Sequence, residues 1–305
     1  MTFNYQAFGL KIASEMCLSE LISIGRTQQP DVEIKLENME DEWNKQYQKG
    51  EYFIVRPNFI FFKIPKVALF CIKNGNEMKV SPFKGVSEEH LRLYILGTCM
   101  GALLLQRKIL PLHGSTLAIN GKAYAIIGHS GVGKSTLATN LLANGCQLLS
   151  DDVSPITFNE QGHPVVIPAY PQQKLWQESL EKLGKSNHGL RPIVQRESKF
   201  AVPVREQFKE EPLPLAAVFE LVKSEVGELQ VKKVQRLEKL SILYTHTYRH
   251  FLLQELQLTS WHFQTMTQIA QHIKMYSLHR PLSAFTVEEL TEYILIRTNK
   301  EVVVT

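Results

Sequence analysis

The chain has 305 residues, of which 44% are hydrophobic and 21% charged, and its net charge at pH 7 is +4. This length is sufficient for one large domain or two ordinary ones, and we expect two. So small a net charge does not favour a nucleic-acid or membrane partner, and we expect neither. The four cysteines stand singly, which argues against a metal cluster or a disulfide framework and favours a cytoplasmic protein.

The N-terminal 86 residues are predicted to form a small β-rich domain. Their second half contains short runs rich in Phe, Ile and Val, which favour strands. Asn74-Gly75 supplies a hairpin turn, while Pro57 and Pro65 are restricted to strand ends or edges. We therefore place a domain boundary after residue 86 and assign residues 87–305 to a second domain.

The apolar segment from Leu91 to Leu105 predicts a buried helix. It is shorter than the roughly 20 residues that cross a bilayer, and it carries Arg92 near its start. Ser87 is placed to cap this helix, and the nearly continuous apolar sequence indicates packing on most sides.

The next segment is predicted to be a tight hairpin. "STLAI" and "KAYAII" flank Asn120-Gly121, the strongest short-range hairpin signal. This turn pairs Ile119 with Lys122 and, when the pairing is extended outward, sets His113 opposite Gly128. A single histidine is more often structural than catalytic. Here the hairpin brings it to the start of the loop that follows, which favours a catalytic role.

The loop from Gly128 to Ser135, "GHSGVGKS", matches the phosphate-binding pattern G-x-x-x-x-G-K-[ST]. An apolar strand precedes it, and a helix that stops near Gly145 follows it. We expect amides at the helix N-terminus to face phosphate, Lys134 to reach the β and γ phosphates, and Ser135 to bind Mg²⁺. The predicted nucleotide-binding residues are Gly128, His129, Ser130, Gly131, Val132, Gly133, Lys134, Ser135 and Thr136.

A short apolar strand, "CQLLS", then leads to Asp151-Asp152. Carboxylates that follow a strand beside the phosphate loop are placed to bind a metal ion, although two acids at a strand end can also be turn formers. Neighbours on a strand face opposite sides, so one aspartate would bind the metal and the other would face the substrate. That second aspartate could accept a proton, and His113 could orient it. The residues alone leave open which aspartate has which role.

The chain beyond Asp152 is predicted to contain a Pro- and Tyr-containing loop, "IPAYPQQKLW", a short helix, "QESLEKLG", and a basic loop, "GKSNHGLRPIVQRESKF". Arg191, Arg196 and Lys199 in the basic loop are candidate substrate contacts, with a solvated surface as the alternative. A strand, "LAAVFELV", follows, and helices end the chain. The last helix begins at a capping-box pattern, "TVEE", which starts at Thr286.

These features resemble the bacterial HPr kinase/phosphorylases, whose fold is similar to that of phosphoenolpyruvate carboxykinase. The resemblance rests on His113-Gly114 at the start of the hairpin, on the phosphate loop, and on the strand that ends in Asp151-Asp152. It implies a mixed α/β fold with a P-loop core of HPr kinase/PEP carboxykinase type and a small β-rich N-terminal domain. It also implies a kinase that uses ATP and Mg²⁺.

The same resemblance implies roles for the site residues. Asp152 corresponds to the proton acceptor, His113 to its partner and Lys134 to the phosphate-binding lysine. We predict Ser135 and Asp151 as the Mg²⁺ ligands. The family's E-I-R-G-like segment and its basic loop tied to phosphorolysis are not recognisable, so we do not expect phosphorolysis or recognition of HPr.

Further segments, among them "FGLKIASE", "LHGSTLAINGKA" and "YPQQKLW", resemble HPr-kinase-like proteins of bacterial lasso-peptide gene clusters. Those proteins resemble tailoring kinases that phosphorylate the C-terminal serine of a precursor peptide. The resemblance implies a peptide or protein partner with an acceptor serine and a homo-oligomeric enzyme. The alternatives are a nucleotide-binding regulatory or assembly protein without phosphotransfer, and a kinase for another protein or a small-molecule hydroxyl. The combination of His113 with both aspartates favours transfer.

Overall fold

The structure is a computed structural model that describes residues 2–47, 50–193 and 196–300, with the backbone alone at residues 196, 197 and 300. In these residues the strands form two eight-stranded sheets and one three-stranded sheet. The predicted mixed α/β class is confirmed. No helix of the described part of the chain is long and apolar enough to span a bilayer.

The first sheet and one helix account for the N-terminal part of the chain. Their elements are β1 (Phe3–Ala7), β2 (Leu10–Ser14), β3 (Ile22–Ser23), β4 (Val32–Leu36), α1 (Glu40–Gln46), β5 (Phe53–Arg56), β6 (Phe59–Ile64), β7 (Ala68–Lys73) and β8 (Glu77–Pro82). The strand order is β3-β1-β2-β4-β8-β7-β6-β5. Asn74 and Gly75 both have positive φ in the turn from β7 to β8, and Pro57 and Pro65 directly follow strands. The predicted β-rich character is therefore confirmed.

The predicted buried helix is also present, with an irregularity in its middle. α2 (Glu88–Tyr94) continues through a π-helical turn, Ile95–Cys99, into α3 (Met100–Gln106). The Ser87 hydroxyl caps it by accepting a hydrogen bond from the backbone N–H of His90. These helices share one apolar core with the first sheet, and Val153 and Leu252 from later in the chain join it. The division after residue 86 therefore stays a prediction.

The remaining strands form the second sheet and a small third one. The second sheet contains β9 (Leu110–Ile119), β10 (Lys122–Ile127), β11 (Gln147–Ser150), β12 (Val153–Phe158), β13 (Pro164–Val166), β17 (Leu213–Ser224), β18 (Gln230–Lys233) and β19 (Lys274–Pro281), and the third contains β14 (Gln172–Trp176), β15 (Arg191–Ile193) and β16 (Arg196–Pro203). Strand β9 pairs along one edge with β10 and along the other with β11 and β12. Strand β17 pairs with both β13 and β10, which closes a ring of paired strands.

Helices cover both faces of the second sheet. They are α4 (Lys134–Ala143), α6 (Leu237–Thr245), α7 (Thr259–His272) and α8 (Val287–Lys300), while the short α5 (Gln177–Lys182) follows β14. Successive residues of a strand face opposite sides. Accordingly Tyr124 and Ile126 share a core with α4 and α8, whereas Ala125 and Ile127 share a core with α6 and α7. The phosphate loop thus joins a strand to a helix that is packed on the same sheet.

Two segments that the sequence predicts to be loops contain strands. "QQKLW" forms β14, and the second half of the predicted basic loop forms β15 and β16, in the order β14-β16-β15. Leu175 and Phe200 meet Leu180 of α5 in a small separate core. Because these strands pair only with one another and bury few apolar residues, their alternation is weak in the sequence. The predicted short helix (α5) and the strand around "LAAVFELV" (β17) are confirmed.

Candidate active site

The hairpin of β9 and β10 has the predicted register. The pairing that starts at the Asn120-Gly121 turn continues to Gly114 and Ile127. His113, the next residue outward, therefore lies where β10 gives way to the loop at Gly128. Gly114 is required in this register because a Cβ there would clash with the backbone carbonyl oxygen of Ile126 in β10.

The phosphate loop has a backbone that only glycine adopts readily. The φ angle is 144° at Gly128, 76° at Gly131 and 105° at Gly133. Left-handed residues of this kind turn successive N–H groups to one side and form an anion-binding concavity, here at the N-terminus of α4. The Lys134 ammonium donates hydrogen bonds to the carbonyl oxygens of Gly128 at 2.7 Å and His129 at 3.2 Å. Burial lowers the pKa of Lys134.

Strand β11 brings the aspartates to the same edge of the sheet, but not from the predicted position. Strand β9 lies between β10 and β11 and is antiparallel to both. Strands β10 and β11 therefore run parallel, one strand apart, and the carboxyl ends of parallel strands meet at one edge. The prediction that the aspartates follow a strand directly beside that of the loop is wrong, while the predicted meeting of the two is observed.

Asp152 is held against His113. The Nδ1 atom of His113 lies 2.9 Å from the Asp152 carbonyl oxygen and 3.5 Å from its Oδ1. Burial lowers the pKa of His113, although the charge of Asp152 acts in the opposite direction. The imidazole is therefore neutral near pH 7, and its Nδ1–H can donate to the carbonyl oxygen. This contact fixes the orientation of the residue that carries the carboxylate.

Lys174 of β14, which the sequence did not single out, contacts both aspartates. Its ammonium lies 2.8 Å from Oδ2 of Asp152, and its backbone N–H donates to Oδ2 of Asp151 at 2.8 Å. Burial alone would raise the pKa of Asp152, but the charge and the hydrogen bond of Lys174 act against burial, and that pKa lies well below its usual range. The available signal was a lysine inside the strand-length run "QQKLW".

Asp151 lies deeper than Asp152 and has two hydrogen bonds of its own. One carboxylate oxygen accepts from the Ser115 hydroxyl and the other from the backbone of Lys174. Burial raises the pKa of Asp151, against the effect of these hydrogen bonds. Since both aspartates line the same cavity, the prediction that they face opposite sides is wrong. Both residues lie beyond the end of β11, and Asp152 has a φ of 77°, so strand alternation no longer applies.

A cavity of about 910 Å³ contains the loop and the aspartates. Its cationic lining residues are Lys134, Lys174, Lys182, Lys199, Lys223, Arg249 and Arg280, and its acidic ones are Asp151, Asp152 and Glu178. The loop contributes Ser130 to Thr136 to the lining. This excess of positive charge beside the anion-binding concavity fits a polyphosphate.

The three predicted substrate contacts differ in position. Lys199 lines the cavity, and its ammonium lies 5.4 Å from the centre of the Trp176 ring. Arg191 is exposed, lies 3.8 Å from the Glu89 carboxylate and borders a second cavity of about 310 Å³. The Arg196 side chain lies outside the described residues. The structure thus brings Lys199, but not Arg191, to the cavity of the aspartates.

The predicted metal ligands Ser135 and Asp151 both line the cavity. Across residues 2–47, 50–193 and 196–300, no group of three or more His, Cys, Asp or Glu side chains is arranged to hold a metal ion. Mg²⁺, however, is usually bound by one or two protein oxygens and completes its octahedron with phosphate oxygens and water. A hydroxyl and a carboxylate next to a phosphate site therefore fit Mg²⁺.

A second histidine–carboxylate pair lies close by, between β17 and the end of α6. Nε2 of His246 is 3.4 Å from Oε1 of Glu220, and the Ser277 hydroxyl donates to Oε2 at 3.0 Å. The His246 ring also packs against the ring of His129, at 5.2 Å between centres. Neither His246 nor Glu220 lines the cavity of the aspartates. The loop residue His129 therefore packs against a buried pair, where the sequence predicted a nucleotide contact.

The curated relatives of this chain match it over about a third of its length. No family model matches it. HPr kinase/phosphorylase from Ralstonia pickettii is 30% identical over 117 residues, which are 36% of this chain and 34% of that protein. HPr kinase/phosphorylase from Cupriavidus necator is 29% identical over 122 residues, which are 38% of this chain and 35% of that protein.

Among solved structures, the Hpr(Ser) kinase/phosphatase from Coxiella burnetii matches 64% of this chain and 99% of that chain, with 14% sequence identity and a TM-score of 0.33. A score of this size does not establish a common fold. The chain spans about a third of the length of the curated relatives it matches. Within that third, its sequence is similar to HPr kinase/phosphorylases.

Proposed function

We propose that this chain is a kinase that transfers the γ phosphate of ATP to a serine hydroxyl of a peptide or protein. The observation that carries the proposal is the position of Asp152, which is held by His113 and Lys174 in the same cavity as the phosphate loop. The relatives that match about a third of the chain are named HPr kinase/phosphorylase, which supports the same chemistry. We further propose a cytoplasmic, homo-oligomeric enzyme.

The loop and its neighbours would bind the nucleotide. The amides of the loop and the ammonium of Lys134 would hold the β and γ phosphates, and the other cationic side chains of the cavity would offset their charge. Ser135 and Asp151 would hold Mg²⁺, which neutralises charge on the phosphates when it is bound. Asp151 is suited to this role because its two hydrogen bonds fix the carboxylate.

Asp152 would act on the acceptor. As the serine oxygen forms a bond to the γ phosphorus, the bond from that phosphorus to the β–γ bridging oxygen breaks, the serine proton moves to the Asp152 carboxylate, and ADP leaves. The lowered pKa makes Asp152 a weak base. This is acceptable because the transition state of phosphoryl transfer is loose, so orienting the hydroxyl matters more than removing its proton early. His113 and Lys174 fix that orientation.

The acceptor we propose is the C-terminal serine of a lasso-peptide precursor. Its support is the set of segments that resemble the tailoring kinases of lasso-peptide clusters, and one of them, "YPQQKLW", contains Lys174. The β-rich part of residues 1–86, or the segment around Lys199, would hold the peptide. Another protein, or a small-molecule hydroxyl, is the alternative acceptor.

The test is transfer from γ-labelled ATP in the presence of Mg²⁺. The acceptors are a precursor peptide that ends in serine, the same peptide with that serine replaced by alanine, and HPr. We expect phosphoserine on the first peptide and none on the second, and we expect Asp152→Asn to abolish transfer while ATP still binds. Labelling of HPr alone would support the kinase and reject the peptide.

A different result would reject the kinase itself. If the wild-type chain binds ATP tightly and transfers phosphate to no hydroxyl, the chain is a nucleotide-binding regulatory or assembly protein. If Asp152→Asn transfers phosphate as fast as the wild type, Asp152 is not the residue that acts on the acceptor.

A further inference from the structure

The lining of the phosphate-loop cavity includes a second region, which we call its apolar end. That end is formed by the segment between β19 and α8 together with the first turn of α4. Its apolar lining residues are Leu137, Leu282, Ala284, Phe285, Val287 and Leu290. The lining of one cavity therefore combines the cations near the phosphate loop with a group of apolar side chains.

This segment is fixed to the phosphate loop on one side and to α4, the helix that follows the loop, on the other. On the β19 side, Nε of Arg280 donates to the carbonyl oxygen of Val132 in the loop at 2.8 Å. On the α8 side, the Asn140 side chain of α4 donates to the hydroxyl of Thr291 at 2.9 Å. A ligand whose phosphates lie on the loop would therefore meet this segment in a defined position.

Two apolar side chains that line the cavity are about half exposed: Phe285 at 48% and Leu282 at 58%. The Lys182 ammonium lies 5.5 Å from the centre of the Phe285 ring. An exposed aromatic ring at the rim of a cavity offers a face on which a flat ligand can stack. The base of a nucleotide is such a ligand.

Thr286 supplies an independent observation. Its side chain is 5% exposed and lines the same end of the cavity, yet its hydroxyl has no hydrogen-bond partner among the described residues. The sequence predicts that this hydroxyl caps α8, and that hydrogen bond is absent. A buried hydroxyl without a partner is costly, so the position favours a ligand that brings a polar group to it.

We propose that this end of the cavity binds the nucleobase, with the face of the base on Phe285 and a polar edge of the base at the Thr286 hydroxyl. The inference rests on the proposed function insofar as a nucleotide must lie on the phosphate loop. Phe285 and Thr286 would then make the chain bind a nucleotide more tightly than a bare polyphosphate. Phosphate contacts alone would bind both equally well.

The test is calorimetric titration of the full chain, with Mg²⁺, using ATP, GTP and inorganic tripolyphosphate. Phe285→Ala is expected to weaken the tighter-binding nucleotide about tenfold, near the lower end of the range for base–aromatic stacking. It should leave tripolyphosphate binding unchanged. Thr286→Val, which keeps the shape and removes the hydroxyl, is expected to weaken the nucleotide about fivefold. The matched control is Phe251→Ala, because Phe251 is 49% exposed but does not line the cavity.

Other results of these titrations would contradict either the proposed base site or the proposed function. Unchanged nucleotide affinity in Phe285→Ala, or an equal loss for nucleotide and tripolyphosphate, overturns the base site. A wild-type chain that binds tripolyphosphate as tightly as nucleotide overturns the base site and leaves the phosphate loop intact. A wild-type chain that binds neither overturns the proposed function as well.

Discussion

Among the described residues, two histidine–carboxylate pairs have similar N–O distances but very different surroundings. The two pairs are His113 with Asp152, at 3.5 Å, and His246 with Glu220, at 3.4 Å. They are even joined, because the backbone N–H of His113 donates to the carbonyl oxygen of His246 at 2.8 Å. The first pair lines the cavity and contacts the cation of Lys174. The second pair does not line the cavity; it packs against His129 of the loop and contacts the hydroxyl of Ser277. A histidine–carboxylate pair alone therefore does not indicate a catalytic role. The groups around the pair are what distinguish the two.

The largest effect on stability is expected at Lys174, the buried cation that contacts Asp152 of the first pair. Lys174→Met leaves the Asp152 carboxylate without its cation, so the free energy of unfolding should fall by about 3 kcal/mol, at the low end for a broken buried ion pair because Asp152 is a quarter exposed. Ser277→Ala in the second pair should cost about 1 kcal/mol. Urea unfolding measures both. If the double variant Lys174→Met/Asp152→Asn does not recover most of the loss, the unpaired charge was not its cause.

The next largest effect is expected on the rate of phosphate transfer when the histidine of each pair is replaced. His113→Gln is expected to slow phosphate transfer by about 10- to 100-fold, the worth of a hydrogen bond to a charged or reacting residue, with the Kd for nucleotide unchanged. His246→Gln should change the rate less than about threefold, because its partner Glu220 does not reach the cavity. Single-turnover transfer and equilibrium nucleotide binding separate the two quantities. Equal losses of rate in both variants would contradict the assignment of different roles to the pairs.

The smallest effects are expected in the pH dependence of the free energy of unfolding, where the two pairs should act in different pH ranges. The pKa of His113 is lowered from 6.5, mainly by burial, so the unfolded chain binds more protons below that pH and stability falls as the pH drops from 6.5. For Glu220, burial raises the pKa, but hydrogen bonds from His246 and Ser277 outweigh burial and lower it from 4.5. The contribution of Glu220 is therefore present above pH 4.5 and is lost as the pH falls through its lowered pKa.

Unfolding measured across this pH range tests the two windows. His113→Gln should flatten the decrease of stability just below pH 6.5, and Glu220→Gln should flatten it only below pH 4.5. If both variants changed the same part of the curve, the two pairs would not be energetically distinct.

The sequence predicts the parts of the site that lie close together along the chain. The Asn120-Gly121 turn sets the β9–β10 register, and the glycines of the loop define its backbone, so the place of His113 follows from local rules. Lys174 was missed because its strand, β14, pairs only within the small third sheet, and its contact with the aspartates depends on how that sheet lies against the end of β11 in the second sheet.

The orientation of the aspartates and the state of the Thr286 hydroxyl could not be predicted from local sequence patterns. Strand alternation gave the wrong orientation for the aspartates because Asp152 has a left-handed backbone beyond the strand end. The Thr286 hydroxyl fits a capping pattern but has no partner among the described residues. Both exceptions line the cavity of the phosphate loop.

We propose that Asp152 acts in phosphate transfer and that Glu220 does not. The most direct measurement is transfer of the γ phosphate of labelled ATP to water, which needs no knowledge of the acceptor, with the Kd for ATP measured on the same samples. We expect slow phosphate release by the wild type, a loss of about 100-fold or more in Asp152→Asn at an unchanged Kd, and an unchanged rate in Glu220→Gln. Equal rates in the wild type and Asp152→Asn, or a comparable loss in Glu220→Gln, would contradict the account.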